Sequence, residues 1–355
     1  MYLLGEDMIS IDKIKELDKD NIFDMIGAQP DHLRRNFADT MHQDVTDEHG
    51  VGIQNIVLAG MGGSALAANI IKNWMYDNFT VPFEVCRSYD LPDYVGPNSL
   101  VILSSYSGNT EETLSCYEKA KGQNAQIVIM TAGGNLKKLA EENNHFLLGL
   151  PENFQPRLAV LGGLKALACL FEDMKLVSSV DLRGQLINVA DFLDKVKFDM
   201  SPDKEEGNLA KEIAVKMAGK VGVIYSGSRL GSAAYKWKID INENGKQLCF
   251  YNTYPELNHN EFQGWMFPEK KDVVSVQLES SLENGQMQKR MDITKNILKD
   301  HGFEPIVVQA KGETEIEQLL YTILLGDYVS AYVGILNGIN PTPVELVEKL
   351  KKELG

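Results

Sequence analysis

Short apolar runs alternate along the chain with longer stretches in which apolar residues recur at helical spacing. The runs have the length of buried strands, and the stretches between them are long enough for helices. This rhythm predicts parallel sheets with helices on both faces. The predicted strands lie at 55–59, 83–87, 99–103, 126–131, 145–150, 221–225, 247–251, 273–279 and 305–309. The predicted helices lie at 64–77, 110–121, 136–143, 160–174, 182–196, 232–242, 287–300, 315–334 and 344–354.

The polar stretch 197–207 interrupts this alternation and is typical of a domain linker, although a long surface turn has the same composition. An internal repeat supports two domains, because 57–65 resembles 224–233 when one residue is inserted in the second copy. We therefore predict an α/β protein with two doubly wound parallel-sheet domains, each an αβα sandwich, at 1–196 and 208–355. The second domain includes a C-terminal helix.

Two predicted strands end in loops made of glycines and hydroxyl side chains. The first loop is Gly60-Met-Gly-Gly-Ser64, and the second is Ser104-Ser-Tyr-Ser-Gly-Asn-Thr110. Each loop precedes a predicted helix, and the first backbone N–H groups and the positive dipole end of a helix bind anions. We interpret the two loops as a phosphate site.

Both loops also have a purely structural interpretation. Tight turns after strands need glycine for steric reasons, which leaves either role open for 60–64. Asn109 and Glu112 fit a capping box for the following helix. The capping box does not account for the three hydroxyl residues that surround Asn109, whose O–H groups can donate to phosphate oxygens.

Composition and charge exclude several ligand classes. The net charge of −15 lacks the basic footprint of a nucleic-acid-binding protein. The first loop has Ala65 where a dinucleotide fingerprint has its last glycine, and the Lys-Ser/Thr pair of a Walker loop does not follow.

The four cysteines are widely spaced, which predicts neither a zinc site nor disulfides. The chain shows no signal-peptide core and no uninterrupted membrane span, so we expect a cytoplasmic protein without a membrane partner.

Two segments of the second half carry candidate acid–base residues. Glu243 lies between two asparagines at a predicted helix end, and His259 lies in the polar segment 255–262. The plain alternatives are a solvated glutamate and a loop histidine. Glu256 and Glu261 beside His259 also suggest a metal site, but this spacing, without a helical HxxxH pair or a cysteine, does not favour zinc.

The glycine loop 60–64 followed by the hydroxyl loop 105–110 resembles the sugar isomerase (SIS) domain of phosphosugar-binding proteins. The resemblance implies two such domains per chain and a small-molecule sugar phosphate as the ligand. It implies that backbone and hydroxyl groups of both loops bind the phosphate. The residues concerned are Gly62, Gly63, Ser64, Ser105, Ser107 and Thr110.

The segment 55–354 further resembles the bifunctional phosphoglucose/phosphomannose isomerase branch of this superfamily. That resemblance implies catalytic roles for Arg157, Glu243, His259 and a lysine of the last helix.

The last helix offers two lysines at the expected place. We choose Lys351 over Lys349, because a helical projection places Lys351 beside Val344 and Val347 on the apolar face. We expect that face to point inward.

The resemblance implies an aldose–ketose isomerisation of glucose 6-phosphate and mannose 6-phosphate to fructose 6-phosphate, without metal or cofactor. Glu243 would move a proton between C2 and C1 of a cis-enediolate, and His259 would shuttle the proton of ring opening. Arg157 and Lys351 would stabilise the negative charge. The resemblance also implies a homodimer with a shared active site, in which His259 comes from the neighbouring subunit.

Three alternatives stay open at this point. The first is a glucose-6-phosphate isomerase without mannose activity. The second is a non-catalytic SIS module that senses a phosphosugar, which would need the hydroxyl loop but none of the four catalytic residues. The third is an enzyme of amino-sugar metabolism, which would need a different base or an added glutaminase domain.

Overall fold

The computed structural model describes residues 9–35, 46–178, 181–267 and 272–354. Two parallel sheets with alternating helices form two units, which confirms the predicted α/β class. The first unit comprises residues 28–191, and the second comprises 1–27 together with 192–355.

Three short α-helices precede the first sheet in the described ranges 9–35 and 46–54, and none of them was predicted. They are α1 (Ile11–Leu17), α2 (Ile22–Gly27) and α3 (Gln29–Arg34). Ser10 begins α1, and its hydroxyl accepts a hydrogen bond from the backbone N–H of Lys13.

The first unit contains a five-stranded parallel sheet with the strand order β2-β1-β3-β4-β5. Its elements follow the predicted order, with boundaries shifted by a few residues. They are β1 (Asn55–Gly60), α4 (Leu66–Trp74), β2 (Phe83–Cys86), β3 (Ser99–Ser104), α5 (Glu111–Gly122), β4 (Gln126–Thr131), α6 (Gly134–Asn143), β5 (Phe146–Gly149), α7 (Val160–Asp173) and α8 (Leu182–Val196). The division between the units falls within α8.

The register of β1 and β3 positions the two glycine and hydroxyl loops. The strands run parallel, and Gly60 at the end of β1 pairs with Ser104 at the end of β3. Both loops therefore begin side by side at the carboxyl edge of the sheet, which is where open α/β sheets bind ligands.

The second unit contains a four-stranded parallel sheet with the order β7-β6-β8-β9, which repeats the order β2-β1-β3-β4 of the first. This common topology supports the internal repeat that the sequence predicts. The elements are α9 (Leu209–Met217), β6 (Val221–Ser226), α10 (Gly231–Glu243), β7 (Cys249–Thr253), β8 (Val273–Glu279), α11 (Gly285–Asp300), β9 (Ile306–Gln309), α12 (Glu315–Leu336) and α13 (Glu345–Leu354).

The helix α12 forms the core of the second unit. It is long and apolar enough to cross a membrane, but 94% of its most apolar window is buried inside the fold. It packs against α9, α10 and α2. Burial of this apolar surface is the main stabilising contribution that α12 makes.

The unit boundaries differ from the predicted domains at two places. The predicted linker 197–207 lies inside the second unit, where the Tyr332 hydroxyl donates to the Met200 carbonyl oxygen at 2.9 Å. The first 27 residues belong to the second unit and not to the first domain. The ring of Phe23 in α2 lies 4.8 Å from that of Tyr332, centroid to centroid, so an aromatic contact joins this segment to α12.

A buried ionic cluster joins α10 to α12. The Lys236 ammonium donates to Asp240 at 2.7 Å and also to Asp327, and all three side chains are fully buried. Burial raises the pKa of Asp240 well above its usual value, because the charged carboxylate loses its hydration. Removing one partner of such a cluster costs about 3–5 kcal/mol, so the cluster holds α10 in one position on α12.

A buried histidine makes the first unit sensitive to acid. His32 in α3 packs edge-on against Phe154 with ring centroids 4.5 Å apart, and its side chain is 7% exposed. Burial, with a smaller contribution from the Arg35 cation, lowers the pKa of His32 from 6.5 to about 4. The folded state therefore favours the neutral imidazole.

We expect stability to fall as the pH decreases from 6.5 towards 4, because in that window the unfolded chain binds a proton at His32 and the folded chain does not. The contribution is about 3 kcal/mol at its limit. In urea unfolding at about pH 7 and about pH 4.5, His32→Leu should reduce the difference between the two free energies of unfolding. The exposed His301→Leu is the control and should keep the wild-type difference. An unchanged difference in His32→Leu would contradict the assignment.

Candidate active site

Hydrogen bonds join the two loops at the carboxyl edge of the first sheet. The Ser104 hydroxyl donates to the Ser64 carbonyl oxygen at 2.7 Å, and the backbone N–H of Tyr106 donates to Ser64 Oγ at 3.0 Å. The two loops are therefore in direct contact, and Ser64 takes part in both hydrogen bonds.

Three hydroxyl groups converge at the start of α5. Ser105 Oγ lies 2.7 Å from Thr110 Oγ1 and 3.5 Å from Ser107 Oγ. The backbone N–H of Gly108 donates to Ser105 Oγ at 3.0 Å. Ser105 is fully buried whereas Ser107 is exposed, so the cluster extends from the interior of the unit to its surface. The structure thus brings together Ser105, Ser107 and Thr110, three of the four hydroxyl residues that the resemblance assigned to phosphate.

The capping box predicted for Asn109 and Glu112 is wrong. The helix α5 begins at Glu111 with Thr110 at its N-cap, and the Asn109 side-chain oxygen instead accepts the backbone N–H of Asn135 at 3.0 Å. Within the described ranges no side chain caps the first turn of α5. The N–H groups of an uncapped first turn are the donors that an anion uses.

The physical reason for glycine differs from one loop position to the next. A Cβ on Gly63 would lie 2.8 Å from the backbone nitrogen of Arg157, so close packing requires glycine there. Gly62 has φ +49° and no neighbour within 4 Å of an added Cβ, so its turn conformation favours glycine beside open space. Gly108, at φ +68°, would place a Cβ 1.8 Å from the Gly133 carbonyl oxygen. Steric reasons therefore account for Gly63 and Gly108.

Arg157 lies beside the glycine loop of the first unit. Its backbone contacts Gly63, and its side chain is 1% exposed. The guanidinium donates to Gln155 Oε1 at 3.3 Å. The first unit therefore holds a buried cation next to these loops.

Tyr106, for which no role was predicted, connects the hydroxyl loop to the segment before Arg157. Its hydroxyl donates to the Pro151 carbonyl oxygen at 2.8 Å and accepts the backbone N–H of Phe154 at 2.9 Å. The available signal was a single aromatic side chain within a loop of small residues.

Glu243 is the last residue of α10, and the structure holds this helix end tightly against α12. The Asn244 amide donates to Ser330 Oγ at 2.8 Å. A Cβ on Gly334 would lie 2.6 Å from the Asn244 carbonyl oxygen, so the two helices meet backbone to backbone. The Lys246 ammonium donates to the carbonyl oxygens of Glu243 and Pro341. The half-buried Glu243 therefore extends from a rigid support.

His259 and Glu243 lie at opposite ends of β7. Glu243 precedes this strand, while the exposed His259 follows it in a short 3-10 turn. Five residues of β-strand span about 16 Å. The two candidate proton-transfer residues are thus separated along the strand within one chain.

The carboxylates near His259 are engaged by other side chains. Glu261 accepts hydrogen bonds from the Tyr225 hydroxyl at 2.5 Å and from the Asn252 amide at 2.7 Å. Glu256 accepts from the Asn260 amide at 2.6 Å. Among the residues that the structure describes, no group of three His, Cys, Asp or Glu side chains has the geometry of a metal site.

Lys351 lies on α13, and its environment differs from the expectation. The ammonium pairs with Glu348 at 2.8 Å in an exposed ion pair. The apolar face that was expected to point inward is uncovered in the single chain, since Leu346 is 85% and Leu350 59% exposed. No described part of the chain packs over α13 closely enough to bury any of its residues, Val347 included.

Comparison with known protein families agrees with the division into two SIS-type sheets. Residues 52–154 match the SIS domain family. Residues 206–354 match the family described as the bacterial phospho-glucose isomerase C-terminal SIS domain. The first match contains the glycine loop and the hydroxyl loop, and the second contains Glu243, His259 and Lys351.

Solved structures with this fold include a hypothetical protein from Thermus thermophilus. It aligns with a TM-score of 0.74 at 18% identity, over 99% of this chain and 94% of that one. Tagatose-6-phosphate ketose/aldose isomerase from Escherichia coli aligns with a TM-score of 0.66 at 17% identity, over 90% and 93%. At these identities the alignments establish the fold.

Curated relatives share both sequence and length with the chain. The bifunctional phosphoglucose/phosphomannose isomerase of Caldicellulosiruptor bescii is 36% identical over 309 residues, which is 85% of this chain and 90% of the relative. The enzyme of the same name from Aquifex aeolicus is 34% identical over 303 residues, with 85% and 90% coverage. The geometry at the carboxyl edge and these relatives lead to one conclusion: the chain belongs to the bifunctional phosphoglucose/phosphomannose isomerase family.

Proposed function

We propose that this protein interconverts glucose 6-phosphate and mannose 6-phosphate with fructose 6-phosphate through a cis-enediolate, without a metal ion, in the cytoplasm. The observation that carries the proposal is the hydroxyl cluster at the uncapped start of α5, with the buried Arg157 beside the adjoining loop. Membership of the isomerase family supports the substrate class.

The phosphate would bind at the first unit. The hydroxyls of Ser64, Ser105, Ser107 and Thr110 supply donors without adding charge, and the first turn of α5 supplies backbone N–H groups. Several such bonds would hold the phosphate end of the sugar while C1 and C2 extend away from it. Binding energy gained at this remote group orients the reacting carbons.

Glu243 would act as the base that moves a proton between C2 and C1. A carboxylate accepts the proton from one carbon and returns it to the other, so a single base serves both halves of the carbon-to-carbon transfer. The rigid end of α10 supports this role, because general-base catalysis depends on a fixed distance to the proton. Arg157 and Lys351 would stabilise the negative enediolate oxygens.

The active site would be completed by a second copy of the chain. In support, His259 and Glu243 lie at opposite ends of β7, so proton shuttling at one substrate calls for His259 of a neighbouring subunit. The edge strand β7 exposes Phe250 at 54%, and α13 exposes its apolar face, which are the surfaces that a homodimer would cover.

Glu243→Gln should abolish isomerisation of both aldose phosphates, because the amide cannot accept the carbon-bound proton. The loss of a general base lowers kcat by about 10²–10⁴-fold. Coupled assays of kcat, together with calorimetric binding of fructose 6-phosphate, separate chemistry from binding. We expect binding and thermal stability to stay at wild-type values.

The exposed Glu212→Gln on α9 is the matched control and should keep full activity. Turnover of either aldose phosphate by Glu243→Gln at the wild-type rate would show that another residue is the base.

Thr110→Val should weaken substrate binding, because valine keeps the shape of threonine and removes the hydroxyl that adjoins Ser105. One lost charge-assisted hydrogen bond costs about 1.5 kcal/mol, so we expect KM to rise by about tenfold. Because a bond to the remote phosphate is made equally in ground and transition states, kcat should change little.

Thr113→Val in the same helix is the matched control. Its buried hydroxyl has no hydrogen-bond partner in the part of the chain that the structure describes, so KM should stay unchanged. An equal KM in Thr110→Val and wild type would place the phosphate elsewhere.

A further inference from the structure

The second unit carries its own version of the two loops at the carboxyl edge of its sheet. The loop after β6 corresponds to the glycine loop after β1, and the loop after β8 corresponds to the hydroxyl loop after β3, because the strand orders are the same. The β6 loop keeps Gly227 and then reads Ser228-Arg229. The β8 loop keeps two serines but then contains a glutamate, Glu283.

The Glu283 carboxylate sits directly on the loop after β6. The backbone N–H of Arg229 donates to Oε1 at 2.7 Å, and the Ser228 hydroxyl donates to Oε2 at 3.4 Å. A Cβ on Gly227 would lie 2.2 Å from Oε1, so this glycine lets the carboxylate approach the backbone. Glu283 therefore accepts from a backbone N–H and a hydroxyl, next to a glycine that leaves room for it. The loops of the first unit present groups of the same kinds.

Because Glu283 is buried, its hydrogen bonds to the loop after β6 matter for stability. The residue is 6% exposed, and a buried carboxylate is strongly unfavourable unless donors surround it. The Arg229 guanidinium pairs with a different carboxylate, that of Glu315, whose Oε2 lies 2.5 Å from Arg229 Nη1. The backbone and hydroxyl donors of the loop therefore stabilise Glu283.

We propose that the loop after β6 is an anion site occupied by an internal anion, the Glu283 carboxylate, which excludes phosphate from the second unit. A phosphate could not share these donors with Glu283, because two negative groups at contact distance repel each other strongly. The chain accordingly holds one sugar phosphate, at the first unit. This inference does not depend on the isomerisation chemistry, and its test uses no catalytic readout.

The test measures phosphate binding at Arg229 itself. The chain has seven arginines, so ¹⁵N-arginine labelling gives a sparse amide spectrum. The Arg229 resonance is assigned by its loss in Arg229→Lys. Inorganic phosphate is titrated into wild type and into Glu283→Ser, which empties the loop and leaves a hydroxyl. We expect a saturable shift of the Arg229 amide in Glu283→Ser, with affinity at least about tenfold above wild type.

Glu315→Gln is the matched control, because it removes the other carboxylate at Arg229 and leaves Glu283 on the backbone. Its Arg229 amide should not respond to phosphate. A folded Glu283→Ser whose Arg229 amide does not shift would overturn the proposal.

If Glu283→Ser folds only when phosphate is present, that rescue supports the proposal. If it folds under neither condition, Glu283→Gln decides, because the amide keeps the shape and removes the charge. A saturable Arg229 shift in that variant supports the internal anion, and its absence contradicts it.

Discussion

The parallel pairing of β1 with β3 is the constraint on which the proposed site depends. It places Gly60 beside Ser104, so two loops separated by forty residues of sequence begin at one edge. Ser64 then bridges the loops through both its carbonyl and its hydroxyl. Because the donors are fixed before a ligand arrives, an anion there would meet oriented groups at little ordering cost.

The second unit has the same strand order as the first, but its helix ends and loops make different contacts. Its α10 is held on α12 by the buried lysine–aspartate cluster, and the far end of that helix presents Glu243. Its loop after β6 is engaged by Glu283. One sheet architecture thus carries the proposed phosphate site in the first unit, and in the second unit a loop occupied by Glu283 and a rigid support for the proposed base.

Local patterns predicted the strands and the hydroxyl loop well, because a buried strand and a βα turn are determined by neighbouring residues. Contacts distant in sequence were not predictable. The linker at 197–207 is polar, yet Tyr332 anchors it. The α2 segment joins the second unit through Phe23, and Asn109 binds Asn135 rather than capping α5. The helix α13 was expected to face inward because amphipathicity reveals an apolar face but not what covers it.

We have proposed that this chain isomerises both aldose phosphates without metal. The most direct test is a coupled assay of the wild-type protein with glucose 6-phosphate and with mannose 6-phosphate, each with and without a chelator. We expect turnover of both substrates at rates that chelation leaves unchanged. Loss of either activity on chelation, or no turnover of mannose 6-phosphate, would contradict it.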